Sequence, residues 1–348
     1  MDEKGFRDFC HAGKRVLKGL PEKTITANLR FVKEFEKFLA KRKKKDFRYA
    51  TAKDMTDFSD LMIRQGKNKF ENYVALVRYA RFINNKDAEL ALLKSVDGGE
   101  VLGVLGDTIK KTKGKAARDD VFRGITLPVM GASSEGWPEI AKVFIERLKK
   151  GLGEREARDV LLTGPHAAPA KYFAEDRKKY LDSKNLDEYL KLRHAEALDL
   201  LRTHMREDTF FYDQEIDEDV LRFVEGHQEV LGGVRKGGII YETKIPYRTK
   251  EYLREKDKTM KRYYACHCPW VRESILSGPA ISPDFCYCSA GYHKRPWDVV
   301  FSEPVRVEVL ESVLQGDMVC RFAIHVPEKA MPPSKKKKRA KKRRETGK

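Results

Sequence analysis

The chain has 348 residues, of which 41% are hydrophobic and 36% charged, and its formal net charge at pH 7 is +18. This length predicts two domains, and the apolar fraction excludes a fully disordered chain. The sequence lacks both an apolar run near the ~20 residues that cross a bilayer and a signal-peptide pattern, so we expect a cytoplasmic protein with no membrane partner and with free thiols.

Apolar residues recur at helical spacing through the first ~95 residues, which predicts a compact all-helical domain. The first of these helices is predicted over 24–39, with Thr24 as its N-cap. Three more are expected: from Thr51 to a stop at Gly66, over about 69–83, and from Asp87 towards Leu93. Residues 1–120 hold 28 Lys and Arg against 18 Asp and Glu, so this helical domain is basic.

Two stretches of this region carry a family resemblance: Thr51-Ala-Lys-Asp54, which opens the second helix, and Tyr73-Val-Ala-Leu-Val-Arg-Tyr79-Ala-Arg-Phe82 in the third. Their arrangement resembles the helical core-binding domain of tyrosine recombinases. The resemblance implies a DNA-binding bundle. No His-x-x-Arg box with a following nucleophilic tyrosine occurs downstream, so recombination is set aside.

The middle of the chain reads as a linker followed by a helical scaffold. Residues 110–118 are basic and lack large apolar side chains, which predicts a linker and a domain boundary near 118. Beyond this linker, helices are predicted over about 138–150, 154–163, 172–182, 185–206 and 216–231. The predicted division is a basic helical domain with linker over 1–118, a scaffold plus C-terminal domain over 119–334, and a disordered tail over 335–348.

From Gly237 the pattern changes from helical to strand-like. Residues 239–245 predict one strand and Met260–Cys266 a second. Val305, Val307 and Val309 alternate with charged residues, Cys320, Phe322, Ile324 and Val326 alternate with Arg321, Ala323 and His325, and Gly316 lies between the two runs, which predicts a β-hairpin. The expected fold class is α+β: an all-helical N-terminal bundle, a helical scaffold, and a C-terminal domain with a small antiparallel sheet.

Four cysteines form the pattern Cys266-x-Cys268 and Cys286-x-Cys288. On a strand, residues i and i+2 point to the same side, so each pair could present two sulfurs to one place. Four converging thiolates would suit zinc or an iron-sulfur cluster. Three interpretations stay open: a metal site, a ligand-binding or catalytic thiol pocket, and core packing. Cys320 favours core packing, because it shares a strand face with Phe322.

Histidines and aromatic residues surround these cysteines. His267 and His293 are candidate ligands or general bases, with surface or core positions as the alternative. The candidate ligand-binding residues are Trp270, Arg272, Tyr292 and Trp297, with Glu273, Asp298 and Glu303 as further polar anchors or exposed ion pairs.

The segment from Tyr264 to Glu273, with Cys266 and Cys268, is followed by Phe285-Cys286-Tyr-Cys288-Ser-Ala-Gly291-Tyr292 and by the Gly316-Asp-x-x-Cys320-x-Phe322 hairpin. Over about 238–327 this is similar to the aminothiazoline-carboxylate hydrolase group and to vinyl-reductase-type small-molecule-binding domains. The resemblance implies a helix-plus-sheet domain with a ligand pocket, which some members use for hydrolysis and others for sensing.

The C-terminal tail carries nine positive charges in ten residues. Such a run repels itself and predicts disorder, with contact to a polyanion or simple solubilisation as its role. The candidate polyanion-binding residues are Lys335, Lys336, Lys337, Lys338, Arg339, Lys341, Lys342, Arg343 and Arg344. Because no base-reading motif is present, contact with DNA or RNA would be mainly to phosphate.

We therefore expect a small-molecule, metal or redox sensor with a cysteine-lined C-terminal site and polyanion-binding ends. The first alternative is a cysteine-dependent hydrolase of a small heterocycle, with a thiolate as nucleophile and a histidine as base. The second is a nucleic-acid-associated structural protein stabilised by zinc.

Overall fold

The computed structural model of the protein describes residues 1–13, 19–42, 46–165, 168–276 and 278–330. Its chain forms two compact units that are discontinuous in sequence. Unit 1 comprises 1–147, 201–217 and 267–281, and unit 2 comprises 148–200, 218–266 and 282–348. The sequence predicted contiguous segments instead. The basic tail, 335–348, lies outside the described residues.

Helices dominate the chain up to residue 230, as predicted. They are α1 (Glu3–Ala12), α2 (Glu22–Lys41), α3 (Ala52–Arg64), α4 (Phe70–Phe82), α5 (Lys86–Val96), α6 (Val101–Lys113), α7 (Lys115–Phe122), α8 (Trp137–Leu152), α9 (Glu154–Thr163), α10 (Ala174–Asp182), α11 (Leu186–Arg206) and α12 (Glu218–Gly226). The C-terminal part adds α13 (Thr249–Arg254), α14 (Lys258–Ala265) and α15 (Tyr287–Phe301).

The helix ends of unit 1 follow local capping chemistry. Thr51 and Asp54 form a capping box at the start of α3, in which each side chain pairs with the other residue's backbone N–H. Gly66 adopts φ +64° just beyond α3, a conformation that suits glycine. The Thr24 N-cap was wrong, because α2 begins at Glu22 with Pro21 in the cap position.

The predicted linker over 110–118 is also wrong, since this segment is helical. Helices α6 and α7 are separated only by Gly114, which adopts φ +91°. Lysine is a good helix former, so a basic composition without large apolar side chains does not exclude a helix. The chain direction changes at the glycine, and the lysines lie on helices rather than in an extended loop.

Aromatic residues build the core of unit 1. The ring of Phe35 packs against Phe47 and Phe58 at centroid distances of 4.6 and 4.9 Å. All three side chains are buried, and such aromatic pairs stabilise a core beyond their area burial. The predicted amphipathic stripe on α2 therefore faces this core.

Unit 2 is built on a four-stranded antiparallel sheet with the order β1-β2-β4-β3. The strands are β1 (Val234–Lys236), β2 (Ile239–Thr243), β3 (Val307–Glu311) and β4 (Arg321–His325). The predicted strand at 239–245 and the β3–β4 hairpin are confirmed, with Ile240 opposite Ile324 and Val309 opposite Phe322. Gly316 adopts φ +104° in the connection of the hairpin. The chain is thus α+β, as expected.

Helix α14 lies where the sequence predicted a strand, and helix α15 follows it in the same unit. The segment Met260–Cys266 was predicted as a strand but lies almost entirely in α14, because Asp257 caps a helix by accepting from Met260 N–H at 2.8 Å. No bounds were predicted for helix α15, which carries Cys288 and runs through Pro296. It packs so closely on α9 that a Cβ on Gly291 would come within 2.4 Å of the Leu162 carbonyl oxygen.

None of the helices in the described ranges is both long enough and apolar enough to span a bilayer.

Candidate functional site along helix α15

Neither Cys-x-Cys pair lies on a strand, so the geometric basis of the predicted four-thiolate site was wrong. Cys266 is the C-terminal cap of α14, and Cys268 lies just before the turn that starts at Pro269. Cys286 precedes α15, and Cys288 lies in its first turn. Cys268 belongs to unit 1, and the other three belong to unit 2. On a helix, residues i and i+2 diverge.

Across the part of the chain that the structure describes, no group of three or more His, Cys, Asp or Glu side chains is placed to hold a metal ion. This stretch includes all four cysteines. The zinc and iron-sulfur hypotheses therefore receive no support from the geometry.

Besides Cys268, the predicted site residues His267, Trp270 and Arg272 belong to unit 1. Trp270 is fully buried, its Nε1–H donates to the Gly98 carbonyl at 2.7 Å, and its ring stacks on Trp137 at 4.5 Å. Arg272 is buried, and the His267 ring packs edge-on against Tyr212 at 6.1 Å. For Trp270 these contacts favour the core-packing interpretation.

Three of the remaining predicted residues, Cys286, His293 and Trp297, lie along one face of α15. Cys286, Ser289, His293 and Trp297 follow one another at i, i+3, i+7 and i+11, which places them on one helical stripe. Glu242 and Lys244 bond to members of this stripe, and their i, i+2 spacing is that of one strand face. We call these six residues the α15 row.

At the inner end of the α15 row, a buried carboxylate is held by three donors. Glu242 Oε1 accepts from Arg193 Nη1 at 2.8 Å and from Trp297 Nε1 at 3.0 Å, and Oε2 pairs with His293 Nδ1 at 2.7 Å. Burial alone would raise the pKa of Glu242, but the charge of Arg193 and the His293 hydrogen bond lower it to about 2. The carboxylate is therefore ionised at neutral pH.

The ionised carboxylate fixes the chemistry of His293. Since Glu242 has no proton to give, His293 Nδ1 must be the donor, and burial lowers the pKa of the ring so that it is neutral at pH 7. Nε2 then carries a lone pair. This atom is buried and has no hydrogen-bond partner within the described part of the chain. Below the imidazole, Phe322 stacks at 4.3 Å.

The outer end of the α15 row reaches the surface. Lys244 Nζ donates to Ser289 Oγ at 2.8 Å. It lies 6.0 Å from the centre of the ring of Tyr292, a residue that is 41% exposed. The backbone N–H of Lys244 donates to the Cys320 carbonyl at 2.9 Å, which continues the β2–β4 pairing. The charge of Lys244 reaches the buried imidazole, since it adds to burial in lowering the pKa of the ring.

The cysteines of this region differ in their chemistry. Burial raises the pKa of Cys288 to about 12 and also raises that of Cys320, although the charge of Lys244 opposes both shifts. Both thiols are protonated at neutral pH, which disfavours nucleophilic attack. Cys286 is only partly buried, and its Sγ lies 3.0 Å from Ser312 Oγ.

Arg193, Glu242, Lys244 and Ser289 were missed by the sequence reasoning. A signal did exist for two of them, because Glu242 and Lys244 interrupt the apolar run 239–245 at alternate positions. Charged residues at i and i+2 of a strand share one face, and a buried charge needs a partner.

A family described as a family of unknown function (DUF6144) matches residues 247–331, which include α15 and the β3–β4 hairpin. No curated protein and no solved structure matches the chain.

Proposed function

We propose that unit 2 is a small-molecule-binding domain in which His293 Nε2 accepts a hydrogen bond from the ligand and Lys244 binds an anionic group on it. The observation that carries this proposal is the buried Nε2 atom, which has no hydrogen-bond partner among the described residues and is held in the acceptor state by Glu242. An unsatisfied buried polar atom costs ~1–3 kcal/mol, and a ligand donor would recover this free energy.

The ligand class follows from the groups along the α15 row. The ammonium group of Lys244 attracts a carboxylate or phosphate, the imidazole accepts from an N–H or O–H donor, and Tyr292 offers an exposed aromatic ring beside Lys244. A small organic acid that also carries a hydrogen-bond donor satisfies all three.

Binding without turnover is favoured over cysteine-dependent hydrolysis. The raised pKa values of Cys288 and Cys320 leave both as neutral thiols, whereas a cysteine nucleophile must reach the thiolate state. Among the cysteines of α15, Cys286 is left as the candidate nucleophile of a hydrolase. Binding without turnover agrees with a sensing role.

Thermal melts of the full chain with a panel of small hydroxy and amino acids test this proposal. We expect a compound that raises the melting temperature of the wild type and has no effect on His293→Asn. Asparagine retains a donor for Glu242 but lacks the Nε2 acceptor. His227→Gln is the matched control, because His227 is an exposed histidine of the same unit. Equal stabilisation of His293→Asn by every binding compound would contradict the proposal.

The second part of the proposal is that unit 1 binds a polyanion. The junction of α6 and α7 presents Lys110, Lys111, Lys113 and Lys115 as exposed residues within six positions, and Lys115 forms an ion pair with Asp119. Nucleic acids attract such a surface through their phosphates, independently of base sequence. The predicted contribution of the tail falls on residues outside the described part of the chain.

A further inference from the structure

The opposite side of α15 lines a surface pocket in unit 2 of about 610 Å³. The pocket residues 295, 298, 299 and 302 lie roughly half a turn around the helix axis from the α15 row. The 3₁₀ turn Ala170–Phe173 and α10 complete the wall. The pocket is lined by Ala170, Lys171, Ala174, Arg177, Arg295, Asp298, Val299, Ser302, Glu303 and Pro304.

Two guanidinium groups in this pocket are held in place by backbone carbonyls. Arg177 Nη1 donates to the Val300 carbonyl at 2.7 Å, at the C-terminal end of α15, and Arg295 Nε donates to the Ala168 carbonyl at 2.7 Å. These contacts among the described residues engage Nη1 of Arg177 and Nε of Arg295. Nη2 of Arg177 and both Nη atoms of Arg295 can therefore donate to a ligand. Guanidinium groups fixed in this way lose little entropy on binding an oxyanion.

The balance of charge in the pocket favours an anion. Lys171, Arg177 and Arg295 contribute three positive charges. Of the two carboxylates, Asp298 is already neutralised by Lys294 Nζ at 2.6 Å and accepts from Val305 N–H at 2.8 Å. Only the Glu303 charge offsets the three cations.

A strained residue lies on the same wall. Ser302 caps the C-terminus of α15 with φ +56°, in the left-handed region. Glycine is the usual residue at such a position, and a non-glycine residue there stores strain. Ser302 also offers a hydroxyl group to the pocket, which glycine would lack.

We propose that this pocket is a second, separate binding site, which takes a small molecule bearing a phosphate or carboxylate group through Arg177, Arg295 and the Ser302 hydroxyl. The residues that form this site are different from those of the α15 row. Anion binding here can therefore be tested separately from ligand binding at His293.

Titration calorimetry of the full chain with inorganic phosphate and with succinate tests this site. We expect saturable binding of at least one probe, weakened about tenfold or more in Arg295→Gln through loss of a charge-assisted contact. Arg222→Gln is the matched control, since Arg222 is an exposed arginine on α12. Tighter binding of phosphate identifies a phosphate ester as the natural class, and tighter binding of succinate identifies a carboxylate.

Ser302→Gly separates the role of the hydroxyl from structural damage. We expect this variant to melt at a higher temperature than the wild type without ligand, because the backbone strain is relieved, and yet to bind the preferred probe more weakly. The proposal is overturned if neither probe binds saturably to the wild type. It is equally overturned if both Arg295→Gln and Ser302→Gly bind with wild-type affinity.

Discussion

Replacement of Glu242 by glutamine should strongly destabilise unit 2, because it leaves the partly buried Arg193 guanidinium charge without its counter-ion. The carboxylate has a pKa of about 2, against an unperturbed value of 4.5. At ~1.4 kcal/mol per pKa unit, this difference corresponds to roughly 3 kcal/mol of stability at neutral pH. Removal of one partner from a buried ion pair typically costs about 3–5 kcal/mol, which agrees in size.

The pH dependence of this effect has a defined sign. Because the pKa of Glu242 is lower in the folded state, its contribution is fully present above pH 4.5 and is lost as the pH falls towards 2. The stability difference between wild type and Glu242→Gln should therefore be largest at neutral pH and shrink steadily below pH 4.5.

Urea unfolding followed by circular dichroism, at several pH values from 7 to 3, measures both quantities. Glu328→Gln is the control, because Glu328 is an exposed carboxylate of the same unit, and its effect should stay within ~0.5 kcal/mol. A loss below ~1 kcal/mol for Glu242→Gln at pH 7 would show that the ion network contributes little, and the argument for the His293 tautomer would fail with it.

Three further predictions concern other parts of the chain. Iodoacetamide at pH 8 should alkylate Cys286 well before Cys288, whose pKa is about 12, and mass spectrometry of the two peptides would reveal the reverse order. Thr51→Ala should cost ~1 kcal/mol in urea unfolding through loss of the capping box, and an unchanged midpoint would contradict that role. The affinity for duplex DNA should fall linearly with salt on logarithmic axes, and the double change Lys110→Gln and Lys111→Gln should flatten the slope by about 1.8 if each lysine contacts one phosphate.

Much of the helical architecture could be predicted because its signals are local. The Thr51 cap, the Gly66 stop and the stripe on α2 each depend on residues within one or two turns. The β3–β4 hairpin was readable for the same reason, since strict alternation flanks Gly316.

The site could not be predicted to the same extent, because its contacts join residues distant in sequence. Arg193, Glu242 and His293 come from a helix, a strand and another helix, and no local pattern connects them. Proline is disfavoured inside a helix, yet Pro296 lies within α15. Because the bounds of that helix were not predicted, the sequence did not show that Cys286, Ser289 and His293 share one helical face at i, i+3 and i+7. The Cys-x-Cys spacing suggested a strand instead.

Helix α15 links the two proposed sites through its anchoring. Its inner face is fixed to the sheet by the hydrogen bonds of His293 and Trp297 to Glu242, and at Gly291 it lies against the α9 backbone. A helix held at these points presents Arg295 and Ser302 on its opposite face in a defined orientation, which is what a preorganised anion site requires. Glu242→Gln should therefore weaken phosphate or succinate binding at the surface pocket on the opposite side of α15, although Glu242 does not line this pocket. Calorimetry on this variant with the same probes, under conditions where it remains folded, checks the coupling. Unchanged affinity for the probes would mean that the surface pocket is organised without the ion network.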